Sequence, residues 1–155
     1  MRAIVWIVEE TWKATARAAR TLLPADTEIT LLHVRATDAE TVARGARLSL
    51  LGRPRHATDD SLDAISETAA QELLAEAQAV LGRDATLDAR SGRTGREVVA
   101  AAEGADLLAL ARDAERANRG PRTLGPTARY VVDHAPCAVL LIWPDEHATK
   151  SKEKQ

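Results

Sequence analysis

The sequence predicts an α/β protein: an open, mainly parallel sheet with helices on both faces. Three observations predict it. Short, continuous apolar runs alternate with longer segments whose apolar residues recur at helical spacing. The resulting order, β-α-β-α-β-α-β-α-β, implies right-handed crossovers between parallel strands. The chain has 155 residues, 45% of them hydrophobic, which is enough for one domain with one sizeable core.

The elements follow in order. Residues 3–8, Ala-Ile-Val-Trp-Ile-Val, form an unbroken apolar run, as expected of a strand buried on both faces. Residues 11–23 read as a helix, with Trp12, Ala16, Ala19 and Leu23 on one stripe and Pro24 closing it. Residues 28–34 give the second strand. A helix over 39–51 is compatible with the pattern, and Gly52-Arg53-Pro54-Arg55 breaks it into an expected mobile loop. Asp60 or Ser61 can cap a long helix ending near Leu81. Its expected stripe is Leu62, Ile65, Ala69, Leu73, Ala77 and Val80, with Gly82 as the stop.

Residues 86–90 form a short third strand. Thr94-Gly95-Arg96-Glu97 has capping-box form, with Thr94 expected to bond the Glu97 amide and the Glu97 side chain to reach back. The helix it opens runs through Val98, Val99 and Ala102. Residues 105–111 carry the fourth strand, with Asp106 its only charge. Residues 112–124 are a polar loop. Pro126 suits the first turn of a helix through Tyr130, Val131 and His134. Pro136 ends that helix, and residues 138–143 are the fifth strand. Residues 1–144 are therefore expected to be a single domain, and 145–155 a polar, disordered tail.

Composition narrows the function. A net charge of −2, with 28% charged residues, argues against a disordered chain and offers no global attraction to nucleic acid or anionic lipid. No apolar run approaches the roughly 20 residues that span a bilayer. The start of the chain carries no secretory-signal pattern. The single cysteine, Cys137, excludes an internal disulfide and a multi-cysteine metal site, which fits a reducing, cytoplasmic setting. Of the 21 basic residues 17 are arginine, a bias attributable to genome composition. In open parallel sheets ligands sit beyond the carboxyl ends of the strands, where strand order reverses. The candidate site is therefore the loops after Val8, Val34 and Leu110.

Several segments together resemble the universal stress protein family. Leu31-Leu32-His33-Val34 is similar to the family's second strand. Gly104-Ala105-Asp106-Leu107-Leu108-Ala109-Leu110 is similar to its run into the fourth. His134-Ala135-Pro136-Cys137-Ala138-Val139-Leu140-Leu141-Ile142 is similar to its entry into the fifth. The resemblance covers about residues 2–144. It implies a five-stranded sheet of order 3-2-1-4-5, adenine nucleotide alpha hydrolase-like, usually dimeric and serving bacterial stress physiology.

Many members of that family bind ATP through a glycine, two residues, a glycine, nine residues, a glycine, then Ser or Thr. In this register the first glycine position is Arg112 and the second is Glu115. The third is kept as Gly125, and the Ser/Thr position is Pro126, with Thr127 one place on. The resemblance implies an acidic residue after the first strand, here Glu9, and an adenine-side residue ending the second, here Val34.

These substitutions have physical consequences. Glycines let the backbone approach phosphates closely, and Arg112 and Glu115 both carry a Cβ. Pro126 offers neither a hydroxyl nor an N–H. Glu115 adds a like charge: two unit charges at 4 Å interact by about 1 kcal/mol in water and about 4 kcal/mol at an effective dielectric of about 20. Arg112 offsets part of this by pairing with Glu115 or with phosphate, but it cannot replace a ring of backbone amides. The expectation is a non-catalytic stress-response or regulatory protein with weak or absent ATP binding. No cofactor is expected. A nucleotide-binding signalling module using Glu9, Val34, Gly125, Thr127 and Arg112 is the first alternative. A sensor of another anion, using Arg112, Arg116, Arg119 and Arg122, is the second.

The remaining candidates read as structural. Arg44, Arg47, Arg53 and Arg55 lack interleaved aromatics for base stacking. His33 reads as a buried structural imidazole, and His134 as a partner of the last carbonyls of its helix. With His56 and His147 in loop and tail, the histidines are too scattered for zinc. Cys137 reads as a small buried hydrophobe. Thr11 lacks a base and an orienting group, so no nucleophile is assigned there. Gly92-Arg93-Thr94-Gly95 reads as a turn before a helix. The fifth strand lies at an edge of the implied strand order and is apolar. It is therefore expected to pair with a second copy in an antiparallel two-fold dimer. No protein partner can be named from the sequence.

Overall fold

The computed structural model describes residues 1–37, 59–112 and 124–144, and of 59–65 only the backbone. Five parallel strands form one sheet: β1 (Arg2–Trp6), β2 (Glu28–Ala36), β3 (Thr86–Gly92), β4 (Leu107–Ala111) and β5 (Ala138–Ile142). Their order is β3-β2-β1-β4-β5, with every neighbouring pair parallel. Four described helices cover it: α1 (Trp12–Leu22), α2 (Asp59–Leu81), α3 (Thr94–Ala101) and α4 (Pro126–His134). The expected helix over 39–51 and the loop at 52–55 lie outside the described residues.

Alternation along each strand divides the core into two layers. Ala3, Val5 and Ile7 of the first run, with Ile29 and Leu31 of β2, pack under Ala16 and Ala19 of α1 and Leu74, Ala77 and Leu81 of α2. Ile4, Trp6, Leu32, Val34, Leu108 and Leu110 point the other way. They meet Val98 of α3 and Ala128 and Val131 of α4. Burial on both faces is why the central strands read as continuous apolar runs.

Boundaries shift from the expected ones for reasons of pairing. β1 leaves the ladder after Trp6↔Leu32, so Ile7 and Val8 are not strand. β2 and β3 run longer because Arg35 pairs with Ser91 and Ala36 with Gly92. β4 starts at Leu107, and Asp106 sits before it, accepting the Arg2 N–H at 2.8 Å.

Two local expectations are corrected. In α2 the buried line is Ala70, Leu74, Ala77 and Leu81, whereas Ala69 is exposed and Leu73 and Val80 are half-buried. The two apolar lines lie one residue, about 100°, apart. Docking selects the line that buries two leucines. The capping box at α3 does not form. Thr94 is already the first helical residue, and Arg93 occupies the cap position without a side-chain cap bond of its own. The Glu97 N–H takes the Arg93 carbonyl at 3.0 Å in the ordinary helical way. Its carboxylate turns instead toward Arg90, 3.8 Å away, because a guanidinium outcompetes a neutral amide for a carboxylate. Two other helix ends behave as expected: Gly82 stops α2 with φ 72°, and Pro126 is in the first turn of α4. The start of α2 does not: the helix already runs from Asp59, so Asp60 and Ser61 are helical residues and not its cap.

Candidate functional site

Parallel pairing of β1 with β2 on one side and β4 on the other brings the carboxyl ends of three neighbouring strands together. Glu9, Val34 and Arg112 are therefore at one end of the sheet. A helix following a parallel strand begins at that same end, so Gly125, Pro126 and Thr127 of the α4 start belong there too.

Each position has its own geometry. Glu9 is exposed, in a turn closed by the Thr11 N–H bonding the Val8 carbonyl at 3.0 Å. Val34 is buried on β2, within the layer under α3 and α4. Arg112 follows β4 and is half-buried, and its N–H is spent on the Ile142 carbonyl at 2.8 Å. Gly125 caps α4 with φ −62° and ψ 165°, a conformation open to any residue, and its carbonyl accepts the Arg129 N–H at 2.9 Å. Pro126 gives α4 no amide at its first position. Thr127 is half-buried just behind it. Glu115, Arg116, Arg119 and Arg122 lie outside the described residues.

Of the residues read as structural, Arg44, Arg47, Arg53, Arg55, His56 and His147 lie outside the described residues, and the surroundings of the others are as follows. His33 is 8% exposed, with Nδ1 2.9 Å from the Ile7 carbonyl. His134 Nδ1 lies 2.8 Å from the Tyr130 carbonyl, and the two rings stack at 4.1 Å. Cys137 is a free thiol packed at the rim of the second core layer. Desolvation, and then the nearby Asp106 carboxylate, push its thiol above the ordinary value. Thr11 precedes α1, and its carbonyl accepts both the N–H and the hydroxyl of Thr15, each at 3.0 Å. Among the described residues no group of three or more His, Cys, Asp or Glu could hold a metal ion. Among them, too, no helix is long and apolar enough to cross a membrane.

Sequence reasoning missed two features. It gave no sign that the Arg112 amide belongs to the β4–β5 ladder, since backbone pairing beyond a strand leaves no residue signature. Nor did it join His33 to Ile7, 26 residues apart.

The family model of the universal stress proteins matches residues 2–142. The chain belongs to the universal stress protein family. Its general role is thus the non-catalytic stress-response role of that family, on an adenine nucleotide alpha hydrolase-like fold. Solved structures agree on the fold. UspA from Lactobacillus plantarum is 19% identical with a TM-score of 0.53, the match covering 92% of this chain and 97% of that one. A universal stress protein in complex with cAMP is 15% identical with a TM-score of 0.59, covering 94% and 98%. A family protein from Arabidopsis thaliana with AMP bound is 16% identical with a TM-score of 0.59, covering 98% and 97%. No curated protein sequence matches the chain.

Proposed function

We propose that this universal stress protein is a cytoplasmic regulatory member whose site keeps the adenosine side, Glu9 and Val34, and has lost its grip on the phosphates. ATP binding is then weak or absent. The observation that carries this is the start of α4, where Pro126 stands at the hydroxyl position and removes the first amide. The Arg112 amide, already bonded to Ile142, is a second donor withheld from a ligand. Two lost hydrogen bonds to a charged group, at about 1.5–3 kcal/mol each, weaken binding by roughly 10²–10⁴-fold.

Calorimetric titration tests this. ATP is expected to show no micromolar binding, and no preference over AMP or adenosine. Micromolar ATP binding that is lost in Gly125→Val overturns the proposal. AMP and cAMP belong in the same panel because two similar structures carry them. Selective binding of either would favour a nucleotide module that reads the adenosine side. Binding of unrelated anions alone would favour the arginine-loop sensor.

The working unit in this reading is one domain, 1–144, with 145–155 a polar appendage. It pairs with a second copy through β5, which ends the sheet and has Val139, Leu140 and Leu141 only half-buried.

A further inference from the structure

The exit of β1 is held by a side chain. The β1–β2 ladder stops at Trp6↔Leu32. The Ile7 N–H still reaches the Leu32 carbonyl at 2.7 Å, but the Ile7 carbonyl is taken by the His33 ring, its Nδ1 2.9 Å away. A carbonyl only accepts, so Nδ1 carries the proton, and in the neutral ring Nε2 is left as the acceptor. Ile7 is wholly buried, and an unpaired buried carbonyl is costly. The imidazole thus supplies the bond that the ladder no longer makes. Immediately afterwards the chain turns out of the sheet: Val8, the exposed Glu9 and Glu10, then Thr11, whose N–H closes the turn on the Val8 carbonyl.

Only Val8 stands between the residue with the held carbonyl and Glu9. On the other strand His33 immediately precedes Val34, and alternation sends those two side chains to opposite faces of the sheet. One short piece of β2 therefore carries Val34 and also fixes the strand end that leads to Glu9. We propose that His33 is the positioning residue of the β1–β2 side of the candidate site: through the Ile7 carbonyl it sets the direction in which Val8 and Glu9 leave the sheet. The inference rests on the reading of Glu9 and Val34 as the retained adenosine side. Its geometric content is nevertheless independent of whether any nucleotide binds.

Amide hydrogen exchange on the full chain tests it, with the Ile7 and Thr11 amides as reporters and the Arg112 amide, in the β4–β5 ladder, as reference. Asn sets its side-chain nitrogen near the place of Nδ1, whereas Gln sets its own near Nε2. His33→Leu and His33→Gln are expected to speed exchange at Ile7 and Thr11 by about tenfold relative to Arg112. His33→Asn is expected to bring both back close to wild type. The wild-type imidazole ¹⁵N spectrum should show Nδ1 protonated. Equal acceleration at Arg112, no acceleration at Ile7 and Thr11, or failure of Asn to rescue would each overturn the proposal. If the Leu variant does not fold, the Gln and Asn pair decides alone. Loss of the nucleotide reading would appear in the titrations and leave these exchange rates untouched.

Discussion

At one edge of the sheet β3 alternates Leu87 and Ala89 with Asp88 and Arg90. The Arg90 Nε lies 2.9 Å from Asp88, and its Nη1 lies 3.8 Å from Glu97 of α3. At the other edge β5 is Ala-Val-Leu-Leu-Ile, and Trp143, just beyond it, is 56% exposed. Among the described residues each of these strands has a single neighbour in the sheet. A strand joining at β3 would have to desolvate charged side chains already satisfied within the chain. A strand joining at β5 would cover apolar surface. Charges on an edge are a known defence against strand addition, and β5 lacks them. Of the two edges, β5 is the one whose chemistry favours a second copy.

The largest expected effect lies at β5. Trp143→Lys replaces an exposed aromatic ring with a charge twice in a two-fold dimer. Losing about 1.5–3 kcal/mol of apolar burial per copy raises the dissociation constant by roughly 10²–10⁴-fold. Sedimentation should shift the variant to the 16.7 kDa single chain while its helical spectrum stays native. A variant that associates as tightly as wild type would break the contrast between the edges. So would a wild-type chain that stays single at high concentration.

At β3 the next effect is one of backbone strain. Gly92 ends the strand with φ 150°, and a Cβ there would stand 3.0 Å from Cγ and Oε1 of Glu97. Gly92→Ala is expected to cost about 1–3 kcal/mol in urea unfolding. Combining it with Glu97→Ala should recover only the contact share of that cost, since the dihedral remains. Full recovery in the double variant would show that the torsion itself costs nothing.

How much of this was legible in the sequence depends on what kind of force sets each feature. The strands were legible because two-sided burial demands runs such as Ala-Ile-Val-Trp, and Gly82 and Pro126 were legible because their backbone chemistry admits few places. The buried line of α2 was not, because Ala69-Leu73-Val80 and Ala70-Leu74-Leu81 are equally apolar and only packing decides between them. The capping box failed at Glu97 because a sequence pattern four residues long cannot see Arg90 on a neighbouring strand. At the candidate site, what was legible was the placement of Glu9, Val34, Arg112 and Gly125 at one end of the sheet, which follows from strand order and the start of α4. The engagement of the Arg112 amide and the His33–Ile7 bond were not, because each uses a backbone group that every residue carries, on a strand distant in sequence from its partner.

A smaller effect sharpens the β3 side. Arg90→Met removes both of its ion pairs and keeps most of the side-chain volume. Arg90, Asp88 and Glu97 are each about one-third exposed, so the expected loss is about 0.5–1 kcal/mol, shrinking as salt is added. Association through β5 should not change. If Arg90→Met instead caused a new, salt-independent association, the charges at β3 would be acting mainly as a guard against strand addition.

The smallest effect concerns the entrance to β5. Cys137 sits one residue before the strand, and burial, then the Asp106 carboxylate, raise its thiol pKa from the ordinary value. Only the thiolate is alkylated, so a raised pKa means slow labelling near neutral pH and a rate that climbs further into the alkaline range than for a free thiol. Stability has a matching sign. Below the unfolded-state pKa both states hold the proton and the thiol contributes nothing. Above it the unfolded chain loses its proton first, so stability falls as pH rises between the unfolded and folded values. Asp106→Asn removes the second cause and leaves the first, so the labelling profile should move toward lower pH without reaching that of a free thiol. Because Asp106 also accepts the Arg2 N–H at 2.8 Å, the comparison belongs at matched stability, with unfolding measured alongside. A profile in Asp106→Asn indistinguishable from wild type would mean that desolvation alone sets the Cys137 thiol. A profile equal to a free thiol would mean that the strand entrance is open to water, which would weaken the contrast between an apolar β5 edge and a charged β3 edge at its own starting point.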